Sequence, residues 1–328
     1  MLSNLSATGM QEGRDGIRWV GQSVRQAPYW AVSRQYGEDE ESFRFRAGQV
    51  YFEAQQQETA EWWRRIGMPV EMRGRRVLDL GCGHGALSLD AARRGATSVT
   101  GVDTDSDRIG FARRLLRERQ PDLAATICLI DQPLETLPCV AAFDIILSKD
   151  TFEHVEDLGR LIAAAGCRLR AGGLLVCGFS PLYYSPNGDH DRLGLPLPWL
   201  HAVLPQALVY RWASRRTGRL IRSAADVGLN RLTLAEFESF LPLDAWEQVS
   251  LRVNPIDHPL RVTFDLLRKV PGLARYFTIG VYAVYRKRDR SAACDNNRTA
   301  GAAKQPGHGD FVAAPGPPDR DAFASSAT

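Results

Sequence analysis

The sequence predicts an α/β fold with a parallel sheet, and three observations lead there. Between Arg75 and Phe179, short β-branched runs alternate with stretches of helical period. Strands separated by helices join as right-handed βαβ units, which place the strands parallel. A loop with glycine at every second position, Gly81-Cys82-Gly83-His84-Gly85, stands where an apolar run gives way to a small-residue helical stretch. Ligands of open α/β sheets bind at such strand-to-helix turns. Finally, 328 residues with 44% hydrophobic and 24% charged content suffice for a full core and match ordinary globular composition.

The elements follow in order. Residues 1–35 carry Gly, Ser and Gln with little periodicity, and residues 43–65 read as a helix without proline. Residues 1–70 are therefore expected to form a helical cap segment, disordered in part at its start. The strand candidates are "RVLDL", "SVTGVD", "ATICLID", "FDIILS" and "GLLVCGF"; the helices between them are "ALSLDAARRG", "SDRIGFARRLLRERQ" and "VEDLGRLIAAAGCRLRAGG". Residues 181–232 break the rhythm with Pro, Gly and aromatics, then with five arginines from Arg211 to Arg222 and no acid among them. An insertion of that length reads as a lid or substrate-binding segment. A helix at "TLAEFESFL" and strands at "WEQVSLRV" and "FTIGVYAVYRK" close an α/β domain over 71–288. Residues 289–328 have too little apolar content to bury and are expected to be a disordered tail. No internal repeat is present.

A net charge of +3 gives no reason to expect a nucleic-acid partner. The six cysteines form no C-x-x-C pair and no disulfide-framework spacing, so free thiols are expected. The N-terminus lacks an apolar h-region and no run approaches the ~18 residues of a membrane span. The expectation is a cytoplasmic, reduced protein.

What the glycine loop holds is set by its spacing and by three acids. A dinucleotide loop reads G-x-G-x-x-G and seats a pyrophosphate on a helix N-terminus. Here the spacing is G-x-G-x-G, and Asp79 lies two residues before the first glycine, where a carboxylate disfavours a pyrophosphate and suits a cation. Asp103 ends the next strand, placed to accept from both hydroxyls of a ribose. Asp131 ends the third, placed to take the exocyclic amine of an adenine. Amino group, ribose and adenine together describe S-adenosylmethionine (SAM).

Five stretches in this order, "VLDLGCGHG", "VTGVD", "LIDQPLETLP", "FDIILSKDTFEHV" and "LRAGGLLVCGF", resemble the class I SAM-dependent methyltransferases over roughly residues 75–180. The resemblance implies a Rossmann-like seven-stranded sheet of order 3-2-1-4-5-7-6 with strand 7 antiparallel. It implies that Asp79 meets the methionine amino group, directly or through water, that Gly81, Gly83 and Gly85 let the loop approach the cofactor, and that Asp103 binds ribose and Asp131 adenine. Cys82, Thr104, Gln132 and Ser148 would complete the cofactor site, and Leu134 or Leu137 would cover the adenine.

Methyl transfer from a sulfonium is an in-line displacement, for which the protein aligns the partners and excludes water. A hydroxyl acceptor must also lose a proton. Strand 4 ends at "SKDTFEH", so Lys149, Asp150, Glu153 and His154 are candidates, with Asp150 and His154 joining His190 as the catalytic set. His190 would act as a base with Asp189 or Asp191 beside it. Two readings of "DTFEH" stand side by side. In one, Asp150 and Glu153 cap or orient the next helix and His154 packs beneath it. In the other, Asp150, Glu153, His154 and His190 ligate Mg²⁺ or Mn²⁺, resembling the E-x-x-E-H pattern of ubiquinone-pathway O-methyltransferases and small-RNA 2′-O-methyltransferases, with Asp150 in place of the first Glu. His201 is expected to pack on a helix face. The arginines at 211–222 have three readings: a solvated face, a site for an anionic acceptor, or contact with an anionic membrane surface. Tyr36, Phe43, Phe45, Tyr51, Tyr183, Tyr184 and Trp199 are candidate pocket linings or plain core. The function expected is O-methylation of a small metabolite, glycan or lipid-linked precursor. The alternatives are a metal-dependent RNA 2′-O-methyltransferase and a non-catalytic SAM-binding scaffold.

Overall fold

The computed structural model describes residues 40–255 and 259–289. The expectations for residues 1–39, for Tyr36 and for the 290–328 tail lie outside the described residues, as does the side chain of Phe43.

A long helix α1 (Glu40–Ile66) leads into β1 (Arg76–Leu80), α2 (Ala86–Arg93), β2 (Ser98–Val102), α3 (Ser106–Arg119), the short α4 (Pro121–Ala124) and β3 (Ile127–Ile130). Then follow β4 (Phe143–Lys149), α5 (Leu158–Arg168) and β5 (Leu169–Phe179). The insertion carries α6 (Leu200–Val203) and α7 (Gln206–Thr217); after it come α8 (Leu234–Ser239), β6 (Trp246–Val253), α9 (Arg261–Leu267), α10 (Ala274–Phe277) and β7 (Val281–Lys287). The seven strands form one sheet in the order β3-β2-β1-β4-β5-β7-β6. The first five pair parallel, while β7 runs antiparallel to both β5 and β6. This is the expected architecture.

Central strands read as unbroken apolar runs because both faces are covered. On one face α1, α2 and α3 bury Trp62, Leu89 and Ile109 against Val77, Val99 and Leu147. On the other, α5 and α8 bury Ile162 and Phe237 against Leu78, Ile146 and Leu175. Helix starts are capped by the expected chemistry: the Asp105 carboxylate accepts from Arg108 N, that of Asp157 accepts from Arg160 N, and Thr233 forms a capping box with Glu236.

Three differences from the sequence reading have local causes. Strand β5 begins at Leu169, not at Gly173, because Phe143 pairs with Leu169 before the register shifts and Ile145 pairs with Leu174. The insertion has small cores of its own, one joining Leu193, Val209, Ala213 and Ile221, another joining Tyr183, Ala224 and Leu229. And Cys139 and Cys167, expected to be free, are joined as a disulfide with Cα atoms 5.6 Å apart. Arg168 braces the same junction by donating to the carbonyls of Ala164 and Leu137. Nothing in the spacing announces that the loop before β4 meets the end of α5. The cross-link closes a loop of 28 residues. Chain entropy assigns such a loop about 3 kcal/mol. Cys139→Ser, or reduction of the wild type, is therefore expected to lower the thermal midpoint by several degrees; an unchanged midpoint would show the two thiols unlinked in solution.

Candidate active site

The loop after β1 is folded by its glycines. Gly81, Gly83 and Gly85 have φ of 76°, 52° and 82°, in the left-handed region where a Cβ is disfavoured. Gly81 N and Cys82 N donate to Val102 O, at 2.8 and 3.1 Å, and so bind the loop to the end of β2. A Cβ on Gly81 would lie 2.3 Å from Thr151 Oγ1, so this glycine is required by packing within the protein. Gly83 differs. A Cβ there would meet nothing closer than Arg108 Cδ at 3.9 Å and Asp103 Oδ2 at 4.0 Å, so it faces open space bordered by an acid.

Asp103 follows β2 with its carboxylate set by the backbone: Oδ2 accepts from Gly83 N at 2.8 Å and Oδ1 from Asp105 N at 2.9 Å. Asp105, not Asp103, caps α3. Each carboxylate oxygen retains a lone pair for a further donor, which fits two vicinal hydroxyls. Asp79, by contrast, is turned inward. It is 1% exposed and its Oδ2 accepts from Ser88 Oγ at 2.6 Å. Burial, reinforced by the nearby Asp103, raises its carboxyl to about 7. A ligand ammonium would act on it through space or through one water. Asp131 is exposed and pairs with Arg113 Nη2 at 3.2 Å, which holds it at the β3 end of the site. Thr104 and Gln132 are exposed, whereas Cys82 is buried beneath the loop. Ser148 is buried too, and its Oγ donates to Leu80 O. Leu134 is fully in the core, and Leu137 is the half-buried member of the pair.

Helix α1 closes over this edge. The Tyr51 ring lies 4.7 Å from His84, His84 lies 5.0 Å from Phe111, and Phe45 lies 5.2 Å from Phe111 (centroid distances). Trp62 Nε1 donates to Gly178 O, and Arg65 donates to the Tyr282 hydroxyl. Lys149, at the end of β4, is buried and donates to Gln55 Oε1 at 2.5 Å; its Nζ also lies 3.5 Å from Glu58 and 3.3 Å from Asp150. Those carboxylates outweigh desolvation and raise the lysine, so it stays charged. Asp150 then turns with φ of 49°, a conformation that costs an L-residue energy, and its half-exposed carboxylate pairs with Lys149. This junction was hidden in the sequence: Gln55 and Glu58 lie more than ninety residues from Lys149.

The histidines sort into two groups. His154 and His190 meet edge to face, centroids 5.0 Å apart. His154 Nδ1 bonds Gly228 O at 2.8 Å and His190 Nε2 bonds Pro181 O at 2.9 Å, so in the neutral rings the other nitrogen of each keeps its lone pair. Desolvation lowers them to about 4 and about 3, and both are neutral at neutral pH. His201 is buried, with Nε2 on Tyr183 O and Nδ1 4.0 Å from Asp189. Asp189 thus faces His201 rather than His190, and the expected His190–Asp189 dyad is not formed. Glu153 is buried with neither carboxylate oxygen in a hydrogen bond of good geometry, and desolvation, reinforced by the nearby Asp150, pushes its carboxyl well above the usual carboxylate range. Among the described residues no group of three His, Cys, Asp or Glu is placed to hold a metal ion, and Asp150, Glu153, His154 and His190 do not converge on one point. The metal-ligand set expected from the sequence is thus not assembled in this structure. Tyr183, Tyr184 and Trp199 pack inside the insertion and against α9 and α10, so they are core there.

Residues 77–173 match a family described as a methyltransferase domain. The chain is 30% identical over 190 residues to the ubiquinone biosynthesis O-methyltransferase of Psychrobacter cryohalolentis, covering 57% of this chain and 65% of that protein. It is 37% identical over 166 residues to the protein of the same name from Cereibacter sphaeroides, covering 49% and 59%. The chain thus spans less than two thirds of the length of these relatives. Among solved structures, an S-adenosylmethionine-dependent methyltransferase from Mesorhizobium loti aligns with a TM-score of 0.46 at 20% identity, over 69% of this chain and 97% of that one. No described helix is long and apolar enough to cross a membrane.

Proposed function

We propose that the protein uses the methyltransferase domain matched at residues 77–173, with SAM as methyl donor, to transfer a methyl group to a hydroxyl of a small-molecule acceptor. The observation that carries this reading is the open space over Gly83 beside the Asp103 carboxylate, a cradle with the shape and the acceptor set for a ribose. The names of the relatives, O-methyltransferases of ubiquinone biosynthesis, support oxygen as the atom methylated and a small molecule as its bearer.

When bound, SAM supplies a methyl group already activated on a sulfonium. The chain's own residues then have three tasks. Asp103 fixes the ribose, and the glycine loop fixes the methionine end. Helix α1, through Tyr51, Trp62 and Lys149, covers the strand ends and keeps water from the reacting atoms. Asp150 accepts the acceptor's hydroxyl proton at its carboxylate, steered by its ion pair with Lys149. His154 and His190, neutral at neutral pH, present lone pairs to a donor group of the acceptor.

The test uses SAM labelled in its methyl group, incubated with the small-molecule extract of the source cells. Label is expected in that fraction, and Asp150→Asn is expected to slow its appearance about 100-fold while S-adenosylhomocysteine binding stays at the wild-type value. Label confined to macromolecules, or no label with cofactor binding intact, would overturn the reading.

A further inference from the structure

Exposed apolar side chains are concentrated in two short segments, one within the insertion and one after β6. Among the described residues, ten of the thirteen large hydrophobics that are most exposed fall within 197–220 and 260–270. Each segment has a short apolar ridge on a helix. Leu208 and Trp212 stand four residues apart on α7, at 46% and 49% exposure; Val262 and Leu266 stand four residues apart on α9, at 68% and 59%. A soluble face would carry polar groups at those positions.

The two segments belong to one packed unit. Trp199, at the head of α6, donates from Nε1 to Tyr276 O at 2.9 Å, and its ring lies 6.1 Å from Phe264 of α9 and 5.6 Å from Phe277 of α10. Their charge is one-sided. From Leu193 to Ala225 there is no Asp or Glu, while Arg211, Arg215, Arg216, Arg219 and Arg222 are all exposed. The second segment adds Lys269 and Arg275 to arginines already paired with Asp265.

We propose that this face docks on a bilayer surface bearing anionic headgroups, with the two apolar ridges entering the headgroup boundary and the arginines binding the lipid phosphates. Charge is what selects this occupant. A second copy of the chain meeting the face about a two-fold axis would set arginine against arginine. A negatively charged lipid surface satisfies the cations and receives the apolar ridges together. Docking of this kind needs no methyl transfer.

The experiment is flotation of the full chain with vesicles of phosphatidylcholine, with or without one third phosphatidylglycerol. Binding is expected on the anionic vesicles, at least tenfold tighter than on the neutral ones, and weakened by 0.5 M salt (probe conditions on the order of a collapsed Debye length). Three variants of exposed residues follow: Leu208→Ser with Trp212→Ser, Val262→Ser with Leu266→Ser, and Arg215→Glu with Arg216→Glu. Each is expected to lower anionic-vesicle binding at least tenfold while thermal midpoint and S-adenosylhomocysteine binding remain at wild-type values. Wild-type protein that stays with the unbound fraction, or variants that float as it does, would overturn the proposal. So would a dimer in vesicle-free solution that the ridge variants abolish, since the face would then belong to a second copy. Because cofactor binding is read separately, failure here leaves the methyltransferase reading standing, and the reverse also holds.

Discussion

Gly83→Ala is expected to leave a folded protein that no longer binds S-adenosylhomocysteine, with affinity reduced at least 100-fold by isothermal titration. The fold tolerates the change because a Cβ at Gly83 touches nothing nearer than 3.9 Å. The only internal cost is that of holding alanine at φ of 52°, about 1–2 kcal/mol for a left-handed L-residue. The new methyl group stands 4.0 Å from Asp103 Oδ2, in the space a ribose would need. Gly81→Ala, two residues away, is expected to fail differently. Its Cβ runs into the Thr151 side chain at 2.3 Å, between the β1 and β4 ends, so the loop itself must shift and the thermal midpoint falls sharply. The pair separates two uses of glycine within one motif, one for packing and one for a ligand. Unimpaired binding by Gly83→Ala would mean that the ligand does not lie over this loop.

That distinction marks how far the sequence could be read. The strands were legible because each central one is a short run buried on both faces, and their order followed from motifs with a fixed succession. Asp103 was legible because Asp105, one of the neighbours able to cap α3, does cap it and frees the earlier acid. Contacts between remote segments left no local signal. Lys149 reaches back to Gln55 and Glu58 on α1, His154 meets His190, and Cys139 meets Cys167. Each depends on how α1, the insertion or the loop before β4 folds back onto the sheet and its helices, and hydrophobic period says nothing of that. Asp189 illustrates the same point in reverse: adjacency in sequence suggested a partner for His190, but the turn through His190 and Asp191, both at positive φ, leaves Asp189 facing His201. Asn230 was missed entirely, although its side chain donates to the carbonyls of Phe152 and Val155 and so fixes the end of the insertion to the loop after β4.

Asp103 and Asp79, the proposed ribose and ammonium partners, are expected to respond differently to neutralisation. Asp103→Asn keeps one oxygen acceptor and replaces the other of the two proposed to accept from ribose hydroxyls, and a hydrogen bond to a charged group contributes about 1.5–3 kcal/mol. S-adenosylhomocysteine should therefore bind roughly 10- to 100-fold more weakly. Asp79 is different because burial has raised it to about 7. Ionised above that pH, it favours a ligand ammonium; protonated below it, it offers no charge. Affinity in the wild type is thus fully present above about 7 and is lost as pH falls through that value, by no more than about tenfold per unit. The same group acts on stability with the opposite sign. Its folded value lies above the unfolded one, so its contribution is complete at low pH and is lost as pH rises through about 7. Asp79→Asn keeps an acceptor for the Ser88 hydroxyl and should abolish both slopes, leaving binding at the weak, acid-side level throughout. If the acid-side loss of affinity persists in Asp79→Asn, the cation-binding charge must reside elsewhere in the loop, and the inward turn of Asp79 onto Ser88 is then purely structural.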